Sequence, residues 1–205
     1  SRVGVKGAED LGNGLKATFN YELGLNSASG DFTGNGFNRK STVGLAGNFG
    51  HVRIGRDTTA AFNLADVTTA DHLSNVDTAG RAYSGLDTAY KKTGFPRTMI
   101  TDRVNGVHYD GNFAGVAVSA FAAPTGNNAS FTETVKDDKG TQVKNRTAAY
   151  GVGVGYANGP LTAGVAAQQQ RSKDLNSKTT TTEVVVGGAY DFNVAKVFAN
   201  YIENS

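Results

Sequence analysis

The chain has 205 residues with no Cys, no Trp and 3 Pro, a single domain's worth of sequence in which disulfides, thiolate chemistry and most structural zinc sites are excluded. Its 20 Lys and Arg against 18 Asp and Glu leave a formal charge of +2, too mild to suggest a nucleic-acid partner. The 8 Tyr and 11 Phe are too many for a disordered chain, and no apolar run approaches the roughly 18 residues of a helical membrane span.

Glycine, at 27 residues, is nearly twice its usual share of about 7% and points to an all-β chain. Arg2 to Gly7 alternates, with Val3 and Val5 on one face and Arg2 and Lys6 on the other. A turn cluster follows at Glu9–Gly14. The next strand, Leu15 to Leu23, sets Leu15, Ala17, Phe19, Tyr21 and Leu23 against Lys16, Thr18, Asn20 and Glu22; one face is oily and the other wet, the period-2 pattern of a half-buried strand.

The unit recurs as hairpins. Arg39–Gly47 turns at Asn48-Phe49-Gly50 into His51–Arg56, and Gly106–Asp110 turns at Gly111-Asn112-Phe113 into Ala114–Ala122. Ala148–Ala157 turns at Asn158-Gly159-Pro160 into Leu161–Arg171, and Thr182–Tyr190 turns at Asp191-Phe192-Asn193 into Val194–Glu203. About ten strands result, each near the 9–11 residues that cross a bilayer at a tilt.

Short turns alternate strictly with long polar connections at Gly24–Asn38, Asp57–Asp102, Pro124–Arg146 and Ser172–Thr181. That sorting predicts a transmembrane antiparallel β-barrel, with short turns at one rim and long loops at the other. Tyr21, Tyr109, Phe113, Tyr156, Tyr190, Phe192 and Tyr201 sit near strand ends, where interfacial aromatic girdles lie. Asp57–Asp102 spans about 46 residues where connections are nearer 4–6, and its apolar residues Phe62, Leu64, Leu73, Tyr83, Leu86, Tyr90 and Phe95 need a surface to pack on. A wide barrel offers that surface inside its lumen.

The strings SRVGVKGAEDLGNGLKATFNYE (Ser1–Glu22), NRKSTVGLAGNFGHVRIGRD (Asn38–Asp57), RVNGVHYDGNFAG (Arg103–Gly115) and YANGPLTAGVAAQQQ (Tyr156–Gln170) resemble the general porins of betaproteobacteria, the neisserial and anion-selective trimeric porin family, over essentially the whole chain. The resemblance implies an all-β porin-type barrel of about 16 strands, of which about ten are covered by residues 1–205. It also implies a homotrimer in the Gram-negative outer membrane, in contact with its lipid and lipopolysaccharide. Loop 57–102 would fold inward as the constriction, small anions and other hydrophilic solutes would pass, and there would be no enzymatic activity and no cofactor. Relative to that pattern the first strand and the closing strands are missing, so the covered residues are expected to be part of a longer chain.

Carried over residue by residue, the pore arginines of the resembled family fall on Arg2 and Arg39, with Arg103 the nearest candidate for a third. Alternation independently turns Arg2, Lys6, Lys16 and Arg53 toward the lumen, whereas it sets Arg39 on the face of Val43. Arg56 is turned inward by the resemblance alone. Asp66, Asp71, Asp77 and Asp87 are the candidates for an acidic side facing these cations.

Other patterns are weak. His51, His72 and His108 lack metal-ligand spacing, and Gly151-Val152-Gly153-Val154-Gly155 lacks the helix a phosphate loop needs; small residues on a barrel wall explain it. Asn128-Ala129-Ser130 and Asn145-Arg146-Thr147 match a glycosylation sequon of little weight here. Two rival readings remain, an outer-membrane barrel protease and a soluble all-β binding or adhesion module.

Overall fold

The computed structural model describes residues 1–34, 36–68, 103–124, 134–136, 142–144, 146–173 and 178–205. Its strands are β1 (Arg2–Gly12), β2 (Leu15–Leu25), β3 (Phe32–Thr33), β4 (Lys40–Gly47), β5 (Gly50–Thr58), β6 (Arg103–Phe113), β7 (Val116–Ala123), β8 (Thr134–Lys136), β9 (Gln142–Lys144), β10 (Arg146–Asn158), β11 (Leu161–Lys173), β12 (Lys178–Asp191) and β13 (Lys196–Asn204), with one helix, α1 (Ala60–Val67), after β5.

One sheet runs in the order β1-β2-β4-β5-β6-β7-β10-β11-β12-β13, with the short β3 added to β2, while β8 and β9 pair apart. Every neighbour is antiparallel. Consecutive strands are joined at one rim by turns and at the other by the long connections, the sorted layout expected from the sequence.

Side chains alternate strictly between two faces. Val3, Val5, Val43, Ile54, Val152 and Val186 stand exposed on one. On the opposite face His108, Phe121, Ala149, Ala166, Glu183 and Val185 are buried. A soluble sheet would bury the valines; this one presents them outward and packs around its own helix.

The outward surface is layered. In register across β10, β11 and β12 lie Val152–Ala167–Val184 and Val154–Val165–Val186, then Tyr156–Ala163–Gly188 toward the short turns. Aromatic rings mark that rim: Tyr190 and Phe192 lie 4.6 Å apart between centroids, and the Tyr109 hydroxyl donates to the Phe49 carbonyl at 2.7 Å. Amphipathic rings at the edge of an apolar belt are placed as an interface requires.

Several boundaries differ from the sequence reading. The strand β1 continues through Glu9 and Asp10 to the turn at Asn13-Gly14, both at positive φ, 52° and 77°, as a tight type I′ hairpin demands. Likewise β6 runs through Gly111-Asn112-Phe113, which the sequence reading had made a turn, and the chain reverses instead at Ala114-Gly115, with φ of 52° and 85°. Turn-forming residue types lost there to the ladder that pairs Gly111 with Val118 and Phe113 with Val116. The connection Ser172–Thr181 also contracts, because β11 reaches Lys173 and β12 begins at Lys178.

Ala114 in the left-handed region carries steric strain that glycine would not. In the full-length protein, Ala114→Gly is expected to raise stability by about 1 kcal/mol net of glycine's entropy cost, and Ala114→Val to lower it. Urea unfolding in detergent reads both, and a stability loss in the glycine variant would show the turn to be unstrained.

Candidate functional site

The inner face of β1, β2, β4, β5 and β6 carries a continuous set of charges. Arg2, Lys6 and Lys16 occupy inward positions, in register with Gly24, Asn20 and Ala46 or Asp10. Glu22, on the same face of β2, accepts from Arg39 Nε at 2.6 Å and lies 4.0 Å from Arg2 Nη1. Arg39 escapes the alternation expected of it because it precedes β4; its backbone N–H donates to the Glu22 carbonyl at 3.1 Å, and its side chain swings to the same residue's carboxylate.

A second cluster lies deeper. Asp57 is nearly enclosed and binds Lys40 Nζ at 2.8 Å through Oδ1 and Arg53 Nε at 2.8 Å through Oδ2. Arg53 also reaches Asp110 with Nη2 and meets His51 Nδ1 at 3.1 Å with Nη1, while His51 Nε2 pairs with Thr18 Oγ1 at 2.8 Å. Pairing of this kind fixes long, rotamer-rich side chains. Lys6 and Lys16 make no ion pair among the described residues.

The remaining sequence candidates are placed differently. Arg56, turned inward by the resemblance, falls instead on the face of the exposed Ile54, in register with Ser41 and Asn105, because β5 keeps its alternation there, and its Nε donates to the Asn38 carbonyl at 2.6 Å. Arg103 begins β6 with its guanidinium 5.2 Å from the centre of the Phe62 ring on α1. Asp66 lies within α1, while Asp71, Asp77, Asp87 and His72 lie outside the described residues. Among the described residues no His, Cys, Asp and Glu group could hold a metal.

The helix closes the space from the other side. Thr59 Oγ1 accepts from the Phe62 N–H at 3.3 Å, an N-cap. The chain then crosses to the inner faces of β7, β10, β11 and β12, where Ala60, Ala61 and Leu64 bury against Phe121, Ala149, Ala166 and Val185. Close approach depends on missing side chains: a Cβ on Gly164 would stand 2.7 Å from Leu64 Cδ1, and one on Gly153 3.2 Å from Ala60 Cβ. Gly153 of β10 and Gly164 of β11 thus form a seat for this helix.

At the end of α1, Thr68 is clasped by Asn200 of β13. Asn200 Nδ2 donates to the Thr68 carbonyl at 2.9 Å, and the Thr68 hydroxyl contacts Asn200 Oδ1 and the Leu64 carbonyl. Meanwhile Asn63 of α1 borders the recess of about 430 Å³ that Lys40, Thr42, His51, Arg53, Asp57 and Asp110 also line. One face of α1 is anchored to β7, β10, β11 and β12, and Asn63 on another borders the recess beside Lys40 and Arg53.

Sequence reasoning missed Lys40, Glu22, Asp57, Asp110 and the Thr68–Asn200 pair. Alternation from Val43 would have turned Lys40 inward, so its signal was present. No periodicity links Thr68 to Asn200, 132 positions apart.

The Gram-negative porin family model matches residues 1–205. Outer membrane porin protein 32 of Delftia acidovorans is 32% identical over 202 residues, covering 96% of this chain and 52% of that protein. Major outer membrane protein P.IB of Neisseria meningitidis serogroup B is 33% identical over 220 residues, covering 94% and 61%. The solved anion-selective porin from Comamonas acidovorans superposes with a TM-score of 0.71 at 28% identity over 99% of this chain and 57% of that one. The chain thus spans little more than half the length of these relatives.

Replacing Asn200 by Leu in the full-length protein leaves the buried Thr68 carbonyl and hydroxyl with lost partners, at a cost of about 1–3 kcal/mol. The Asn63 and Thr68 amides of α1 should then exchange hydrogen roughly five- to a hundred-fold faster, while exchange in β1 and β2 stays unchanged. Equal exchange in both proteins would mean that Asn200 does not hold the helix.

Proposed function

The chain belongs to the Gram-negative porin family, a family of channels and not of enzymes, and from that premise we propose that the protein forms a passive, water-filled channel in the outer membrane for small hydrophilic solutes, preferring anions. The observation that carries this reading is the division of one sheet into an outward aliphatic belt and an inward charged wall faced by a helix. Hydrocarbon on one side and water on the other is the only setting in which both faces are favourable.

The preference for anions follows from how the inner charges are shared. Arg2 and Arg39 share Glu22, Lys40 and Arg53 share Asp57, and Arg53 also pairs with Asp110; Lys6 and Lys16, the latter in register with Asp10, make no ion pair among the described residues, which leaves six cations against Glu22, Asp57, Asp110 and Asp10 on this wall. A fixed charge about 4 Å from a passing ion contributes roughly 1 kcal/mol in bulk water and several times that where low-dielectric walls crowd the path. An excess of cations therefore concentrates anions and lowers the barrier to their passage.

Arg2, Lys6, Lys16, Arg39 and Arg53 are assigned to this wall, with Lys40 added from its pairing to Asp57. Arg103, stacked on Phe62, serves as a brace for α1, and Arg56 as a tether for Asn38. Residues 57–102 form the constriction loop, in which Asp66, Asp71, Asp77 and Asp87 supply an opposing negative side and hence a transverse field. The complete protein assembles as a homotrimer among outer-membrane lipids and lipopolysaccharide; the resemblance of its strands to the trimeric porins supports this assembly.

Planar-bilayer recording of the full-length protein under a salt gradient tests the reading. The reversal potential is expected to carry the sign of anion preference and to shrink as salt rises, since the screening length falls from about 10 Å at 0.1 M to about 3 Å at 1 M. Lys6→Glu with Lys16→Glu should move it toward cations by several-fold in permeability ratio. A cation-signed potential in the unaltered protein would overturn the assignment of the wall, and absence of conductance would overturn the channel.

A further inference from the structure

His51 stands near the start of β5 with its half-buried ring on the inner face, between Thr18 of β2 and Arg53. Its two nitrogens meet partners of different kinds. Nε2 lies 2.8 Å from Thr18 Oγ1, a hydroxyl that can accept or donate, whereas Nδ1 lies 3.1 Å from Arg53 Nη1, a group that can only donate. The contact with Arg53 therefore requires a bare Nδ1. The single proton of the neutral ring sits on Nε2 and is donated to Thr18.

A second proton changes one side of this ring and not the other. Nε2 keeps its N–H, so Thr18 is satisfied in both states. Nδ1 becomes a donor facing a donor, and the bond to Arg53 Nη1 is lost. The carboxylate beside the ring on the adjoining strand is Asp110, the cross-strand partner of His51, which already receives Arg53 Nη2. Arg53 stays attached to Asp57 through Nε at 2.8 Å, so its guanidinium keeps its place. What it gains is N–H donors without an acceptor in the wall, along the recess of about 430 Å³ that both residues line.

The charges that face the ring come from each element around it. Arg53 and Asp57 share its strand, Asp110 and the cross-strand partner of Arg53, His108, lie on β6, and Lys40 lies on β4. Lys16 of β2 is in the same row, one strand beyond Ala46. The helix α1 brings the uncharged Asn63 to the recess, and His108 is buried against the Phe121 ring. A proton on His51 adds one cation to this group.

We propose that His51 is a positioning residue for Arg53 and sets the ion preference of the wall by its proton: a bare Nδ1 ties up Arg53 Nη1, and a protonated one releases it to the recess. The inference rests on reading the inner wall as the lining of a channel. Both consequences have the same sign for a passing anion, which meets one more positive charge and free N–H donors on a fork that Asp57 still holds. Histidine changes charge between about pH 5 and pH 8, so the preference for anions rises as pH falls through that range.

The test records the full-length protein in planar bilayers under a potassium chloride gradient at a series of pH values. The anion-to-cation permeability ratio is expected to rise roughly two- to five-fold from pH 8 to pH 5, about the effect of one added charge. His51→Asn, whose Oδ1 accepts from Arg53 without titrating, is expected to flatten that profile; if it does not fold, His51→Gln replaces it. Carboxylates titrate alike in variant and unaltered protein, so the difference between the two profiles belongs to His51. A flat profile in the unaltered protein, or the same slope in both, would overturn the proposal. Absence of conductance at every pH would overturn the channel reading, and nitrogen-15 NMR of the protein in detergent then decides the contact by itself. An Nε2–H ring whose protonation shifts the Arg53 Nη1 resonance supports the positioning role, and an Nδ1–H ring or an indifferent Arg53 overturns it.

Discussion

Backbone amides and carbonyls in hydrocarbon have no water to turn to, and each one left unpaired costs several kcal/mol. The ten-strand antiparallel run meets that constraint by pairing every interior strand on both sides. Once the ladder is obligatory, the rest follows in sequence. Strands must be long and continuous, reversals must be tight, and anything irregular must lie at the rims or inside. Even the Gly111-Asn112-Phe113 segment, made of turn-favouring types, is drawn into β6.

The same ladder fixes what each residue can do, because alternation assigns every side chain to oil or to water. Glu183 and Gln168 are bonded to each other at 2.6 Å on the inner face of β12 and β11. One residue along, Val184 and Ala167 belong to the outer belt. A one-residue slip would carry a buried carboxylate into lipid, so the register is held by both faces at once. Glycine then sets how near α1 can come: at Gly187 a Cβ would collide with Thr68 and Asn200, the two residues that end the helix against the wall.

Legibility in the sequence tracked how local each cause was. The strand from Leu15 was plain because Phe19 and Tyr21 alternate with Lys16 and Asn20 without interruption, and the inward positions of Arg2, Lys6, Lys16 and Arg53 came from the same count. Arg39 was hidden because its orientation is set by a backbone bond to Glu22 just outside β4, where counting no longer applies. The helix α1 was hidden for another reason: Ala60 to Val67 has little of its own periodicity, and its stability comes from a groove built by β7, β10, β11 and β12. A contact such as Thr68 with Asn200 leaves no trace in either local segment.

Paired charges on the inner wall raise a physical question, since an ion pair looks neutral from afar. Near a narrow passage it is not neutral. Arg53 is held by Asp57, Asp110 and His51, and Lys40 by Asp57, so the positions of the cations are fixed and no reorganisation is needed when an anion arrives. A flexible lysine must surrender rotamer freedom to meet each ion, at up to about 2 kcal/mol, an amount comparable to what it contributes electrostatically at 4 Å. Carboxylates behind the cations therefore remove part of the net charge but also remove that entropic cost. In the proposed channel, which atoms a passing ion meets first therefore counts as well as net charge.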